Sequence, residues 1–97
     1  MPKYVLLMKL TDQGIKDIKN APERIEDTVK GLEAAGGKLE IFCTVMGDYD
    51  YVAVVECPSD EVAATFLLLQ GSLGNVRTTT LKAFTKEEFT EMVKKLP

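Results

Sequence analysis

No histidine occurs in the 97 residues. That absence excludes haem held by imidazole, zinc sites of the usual Cys/His kind, and every nucleophile activated by histidine. Cysteine is nearly as scarce. Cys43 and Cys57 show no C-x-x-C spacing and read as buried strand thiols rather than a disulfide. There is no basic run beyond Lys94-Lys95, and 15 acidic against 12 basic residues give a formal charge of −3. Nucleic acid, whose binding draws on phosphate neutralisation, is not an expected partner. The apolar run Tyr4 to Met8 falls far short of the roughly 20 residues of a membrane span, so no membrane partner is expected. Without a charged n-region or a small-residue cleavage site, the expected location is the cytosol. No phosphate-cradling glycine loop, paired carboxylates or metal-ligand spacing is found, so neither a cofactor nor a metal is expected.

What is present is ordinary for a soluble domain, 45% hydrophobic and 28% charged residues, and its length fits one domain over residues 1–97. Lys3 to Leu10 is a continuous apolar strand. In the polar stretch that follows, Ile15 and Ile18 predict one or two helical turns with their apolar side pinned down. Pro22 opens a helix in which Ile25, Val29 and Leu32 form one stripe, and Gly36-Gly37 ends it. Two β-rich runs, Lys38 to Met46 and Asp50 to Cys57, are joined by a tight glycine-containing link. Strict alternation puts Leu39, Ile41, Cys43 and Val45 on one face of the first run, and Glu40, Phe42, Thr44 and Met46 on the other. Ser59 or Asp60 caps a second helix that ends at Gly71 and Gly74, before the β-branched strand Val76 to Phe84. Thr85 and Glu88 form a capping box for a last helix with Phe89, Met92, Val93 and Leu96 on one face.

The order β-α-β-β-α-β plus a terminal helix predicts an α+β domain with a ferredoxin-like antiparallel sheet. Both crossover helices of that topology cover one side of the sheet. The other side should alternate to polar residues if it faces water. It does not: Val5 and Leu7 oppose Tyr4, Leu6, Met8 and Leu10, and Val52 and Val54 oppose Tyr51, Ala53 and Val55. One terminal helix cannot cover four strands. A second copy of the chain packing sheet to sheet is therefore expected, as a homodimer or a higher homo-oligomer.

Met46-Gly47-Asp48-Tyr49-Asp50 before a β-run resembles the G-x-Y-D signature of the GYD family of small bacterial and archaeal proteins. The segments Thr11 to Ile15, Gly71 to Thr78 and Thr79 to Thr85 are similar to the same family, so the resemblance covers nearly the whole chain. It implies a ferredoxin-like fold akin to the dimeric α/β barrels, whose members include small monooxygenases, isomerases and ligand-sensing domains. It lends fold and assembly but no mechanism, since the catalytic histidines of the enzymatic relatives have no counterpart here.

Two polar clusters stand out. At the hairpin, Gly47 supplies an unusual backbone conformation, and Tyr49 beside Asp50 either plugs a core or interface or presents a phenol to a ligand. At the fourth strand, Asn75, Arg77 and Thr79 with Lys9 are either a β-rich strand with a surface or inter-subunit ion-pair partner in Arg77, or a second candidate ligand site in which an arginine among hydroxyls suits a carboxylate. Three readings stay open: a non-catalytic sensor or carrier of a small organic ligand, a cofactor-free isomerase or monooxygenase-like enzyme, or a purely structural protein-interaction module.

Overall fold

The pleat of the first apolar run fixes how the sheet faces the rest of the chain. In the computed structural model, which describes residues 1–97, β1 (Lys3–Leu10) turns Tyr4 and Leu6 inward, each 4% exposed. Val5 and Leu7 therefore point to the opposite face. A short helix α1 (Asp12–Lys16) and a 3₁₀ turn (Ile18–Asn20) lead into α2 (Ala21–Ala34). Then follow β2 (Lys38–Thr44), β3 (Tyr51–Glu56), α3 (Asp60–Ser72), β4 (Val76–Ala83) and α4 (Lys86–Lys94). The strands form one antiparallel sheet in the order β2-β3-β1-β4, the ferredoxin-like α+β arrangement.

The core lies between the sheet and the helices α2 and α3. Tyr4, Leu6, Ala53, Val55 and Cys57 meet Leu32 from α2 and Ala63 and Phe66 from α3. Ser59 caps α3 by accepting from the Val62 N–H at 3.2 Å, and Thr85 and Glu88 cap α4 reciprocally, at 3.1 and 2.9 Å.

Three expectations need correction. In β2, Leu39 pairs with Val55 and Ile41 with Val54, so Glu40 is the extra residue of a β-bulge. The bulge resets the alternation: Leu39 and Phe42 both face the core, and Ile41 and Cys43 face away. Cys43 is consequently exposed, not buried, while Cys57 has no exposure at all. Thirdly, the turns after β1 do not pin their isoleucines, since Ile15 and Ile18 are 51% and 41% exposed. Gly14 is the buried residue there, because a Cβ at that position would stand 2.2 Å from the Asn75 carbonyl oxygen.

The outer face of the sheet stays open. Ile41, Val54, Val5 and Leu81 form one row across the four strands, and Cys43, Val52, Leu7 and Thr79 the next. No helix covers these rows, because α4 makes no substantial contact with any other element. The radius of gyration, 14.8 Å, exceeds the about 13 Å of a compact chain near this length because α4 leaves the body.

Candidate functional site

Helices α2 and α3 both pack on the sheet but make no substantial contact with each other. Between them lies a cleft of about 820 Å³. Its floor is the inner face of the sheet, with Leu6, Met8, Phe42, Tyr51 and Ala53, and its walls include Ile25, Leu32, Val62 and Phe66. The opening follows from small residues: Ala21, Gly31, Ala35 and Ala53 line it, and a Cβ at Gly31 would meet nothing within 4 Å. A mid-helix glycine costs about 1 kcal/mol against alanine, so Gly31 is a sequence signal for this space that propensity alone discards. The Thr28 hydroxyl lies 3.2 Å from Gln70 Oε1, spanning the two helices at one side of the cleft.

Of 28 lining residues 19 are hydrophobic, so the cleft presents an apolar surface interrupted by a few polar groups. The charged residues that line it are engaged or peripheral. The Arg24 guanidinium donates to Asp17 Oδ2 and to the Asp17 carbonyl, both at 2.8 Å. Asp27 and Glu61 are exposed.

The fold divides the candidate residues read from the sequence between two places. Asn75 lines the cleft, and its Oδ1 accepts from Gln13 Nε2 at 3.0 Å. Lys9, Arg77 and Thr79 belong to the outer face, where Lys9 pairs across strands with Arg77 and Leu7 with Thr79. Tyr49 joins them there, its ring centre 5.4 Å from Lys9 Nζ. Asp50 is engaged with the backbone: its Oδ2 accepts from the Leu10 N–H at 2.8 Å. Gly47 sits at φ +115°, a conformation that favours glycine. Tyr51 lines the cleft but carries no distinguishing signal in the sequence, because a strand aromatic ordinarily marks packing.

A second polar group closes the far end of the sheet. The buried Tyr4 hydroxyl donates to Asp60 at the start of α3, and Lys82 Nζ lies 2.9 Å from the same carboxylate. Burial, reinforced by Asp60, pushes the Tyr4 phenol up to about 12. The hydrogen bond from Tyr4, with Lys82 beside it, holds the Asp60 carboxyl below its ordinary range.

The fold and cleft define a small ferredoxin-like α+β domain with an apolar cleft between its two crossover helices. The GYD domain profile matches residues 4–93, and the chain belongs to the GYD domain family. It is 37% identical over 84 residues to the glutamine synthetase and cystathionine beta-lyase binding protein of Thermus thermophilus, spanning 86% of this chain and 88% of that protein. Among solved structures, the feast or famine regulatory protein of M. tuberculosis complexed with L-methionine superposes with a TM-score of 0.66 at 20% identity. That match covers 89% of this chain but only 52% of the regulator, and it shows the fold alone. TTHA0845 from Thermus thermophilus superposes with a TM-score of 0.53 at 25% identity, over 88% of this chain and 95% of its own. No helix is long and apolar enough to cross a membrane.

Proposed function

We propose that this protein is a non-catalytic binding protein that takes a small, mainly apolar organic ligand in the α2–α3 cleft and works as a homo-oligomer. The observation that carries the reading is the cleft itself, about 820 Å³ of largely apolar-lined space that opens to solvent in a 97-residue domain. A largely apolar cleft of that size with a few polar groups at its margin is the usual form of a small-molecule site. The enzyme alternative has less support. The cleft's arginine is held by Asp17, and its two carboxylates are exposed. Self-association is supported by the two apolar rows of the outer face, flanked by the ion pairs of Lys3 with Glu40 and Glu56, at 2.6 and 3.6 Å. An apolar centre with a charged rim is the usual anatomy of a protein interface. The two cysteines are unpaired, which suits a reducing cytosol.

A second reading, a module that binds metabolic enzymes, is favoured by the name of the Thermus thermophilus relative and by the exposed apolar side of α4. The two readings are compatible if ligand in the cleft tunes partner binding. Native mass spectrometry of freshly purified protein tests the first: a copurified small molecule retained by wild type and lost from Val29→Trp, which fills the cleft, is the expected result. Equal retention by both would overturn it.

A further inference from the structure

Two hydroxyl-bearing residues that line the cleft, Tyr51 and Thr78, make no side-chain hydrogen bond within the protein. Tyr51 is 7% exposed and lines the cleft, yet its hydroxyl hydrogen-bonds to no protein atom. No fully enclosed side-chain oxygen or nitrogen lacks a partner, so this phenol oxygen meets open space. Buried phenols generally find a partner, and the same fold supplies one elsewhere: Tyr4, at 4% exposure, donates to Asp60. The Tyr51 ring is held in place. It lies 5.1 Å from the Phe42 ring, inclined at 42°, and Thr44 and Met8 flank it across the sheet.

The charge pattern narrows what that hydroxyl meets. No lysine lines the cleft, Arg24 is paired with Asp17, and the remaining charges, Asp27 and Glu61, are exposed. A carboxylate driven into this space would lie beside apolar surface with no free cation, at a high desolvation cost. A neutral oxygen function loses far less on entry and regains a hydrogen bond from the phenol.

We infer that Tyr51 is the polar anchor of the cleft and that the ligand is a neutral molecule with an apolar, ring-sized body and one hydroxyl or carbonyl oxygen. The inference rests on the ligand-binding reading above and deepens it. The body occupies the apolar end toward Leu6, Phe42 and Phe66, and the oxygen meets Tyr51. Thr78, two strands across in the same sheet row and also lining the cleft, offers a second hydroxyl at that end.

Three bicyclic probes test this on the full chain: 2-naphthol, naphthalene and 2-naphthoate, titrated into wild type, Tyr51→Phe and Val29→Trp. The wild type should bind naphthol and naphthalene, and naphthoate most weakly. In Tyr51→Phe the affinity ratio of naphthol to naphthalene should fall roughly two- to tenfold, the worth of one neutral hydrogen bond, with naphthalene unchanged. Val29→Trp should weaken both. An unchanged ratio in Tyr51→Phe removes the anchor and leaves the cleft standing. Absence of binding, or binding indifferent to Val29→Trp, removes the cleft and the anchor with it. Tighter binding of naphthoate than of naphthol overturns the neutral ligand. A reading that needs no variant comes from wild-type NMR: the Tyr51 ring signals should shift more with naphthol than with naphthalene, and equal shifts would overturn the anchor.

Discussion

Asp50 Oδ2 accepts a hydrogen bond from the Leu10 N–H at 2.8 Å, which fastens the β2–β3 link to the end of β1. The Asp50 backbone acts in the same direction, donating to the Met8 carbonyl and accepting from the Val45 N–H, both at 2.9 Å. The aspartate of the G-x-Y-D segment thus completes the sheet where ladder pairing ends. Asp50→Ala leaves the part-buried Leu10 donor without a partner and should cost about 1–3 kcal/mol. Asp50→Asn keeps an acceptor oxygen and should cost less than half as much. Urea denaturation of the three proteins measures the difference.

The Tyr4–Asp60–Lys82 group makes a prediction about pH. Tyr4 has its folded value pushed up from 10.0 to about 12, so the folded state holds the phenol proton more tightly than the unfolded chain. Its contribution is complete below pH 10 and is lost as the pH rises toward 12. Asp60 runs the other way: its folded value is lowered from 3.8, so its contribution is present above that pH and fades as the pH falls below it. Urea midpoints of wild type should therefore decline between pH 10 and 12 more steeply than those of Tyr4→Phe. Cys57, whose thiol burial pushes up, adds an alkaline loss common to both proteins, so the difference between them isolates Tyr4.

Leu6 and Leu7 lie on opposite faces of the sheet, and the proposed self-association through the outer face makes opposite predictions for them. Leu6 lies in the core at 4% exposure, so Leu6→Lys should unfold the chain. Leu7, in the outer row with Cys43, Val52 and Thr79, should accept lysine without unfolding but lose the assembly. Sedimentation equilibrium is expected to report a particle larger than 10.7 kDa for wild type and one of 10.7 kDa for Leu7→Lys. Cys43 offers an independent check. Its labelling by a thiol reagent should slow as wild-type concentration rises, and stay fast in Leu7→Lys. Cys57, fully buried, should react only on unfolding.

Much of this architecture is legible in the sequence because local rules agree with one another. The capping box at Thr85 and Glu88 and the serine cap of α3 are formed as their spacing requires. So is the element order, since hydrophobic period and turn residues point the same way in each segment. The failures have a common cause, which is that they depend on residues distant in sequence. Alternation in β2 misleads because the bulge at Glu40 is set by pairing with β3, and Glu40 itself is stabilised by Lys3 on another strand. Gly14 is buried because Asn75 approaches it, and nothing near Gly14 announces that. The candidate residues divide for the same reason: Asn75 borders the cleft while Lys9 and Arg77 stand on the opposite face, and only strand parity combined with pairing separates them. The cleft is the least legible feature. It arises where α2 and α3 do not meet, and a sequence records the residues that pack more plainly than the space between them.

Helix α4 supplies the last prediction. At nine residues it is shorter than the roughly 12–15 that even good helix formers need in isolation. Its capping box contributes about 1 kcal/mol, and its first-turn acids Glu87 and Glu88 suit the positive end of the helix. These devices favour the first turn but cannot sustain a helix whose apolar side is bare. Phe89, Met92, Val93 and Leu96 are between 42% and 69% exposed, and Phe84 beside them is 55% exposed. Cover on that side would stabilise such a helix, and under the proposed self-association the apolar sheet face of a second copy is a surface of matching chemistry. Amide hydrogen exchange over residues 86–94 should therefore slow as protein concentration rises through the assembly range. Met92→Lys should speed exchange there and also lower the assembled fraction, while leaving the β1 and β3 amides of the monomer protected. Exchange over 86–94 that is fast at every concentration, beside a sheet interface that Leu7→Lys still disrupts, would show that the copies meet through their sheets alone.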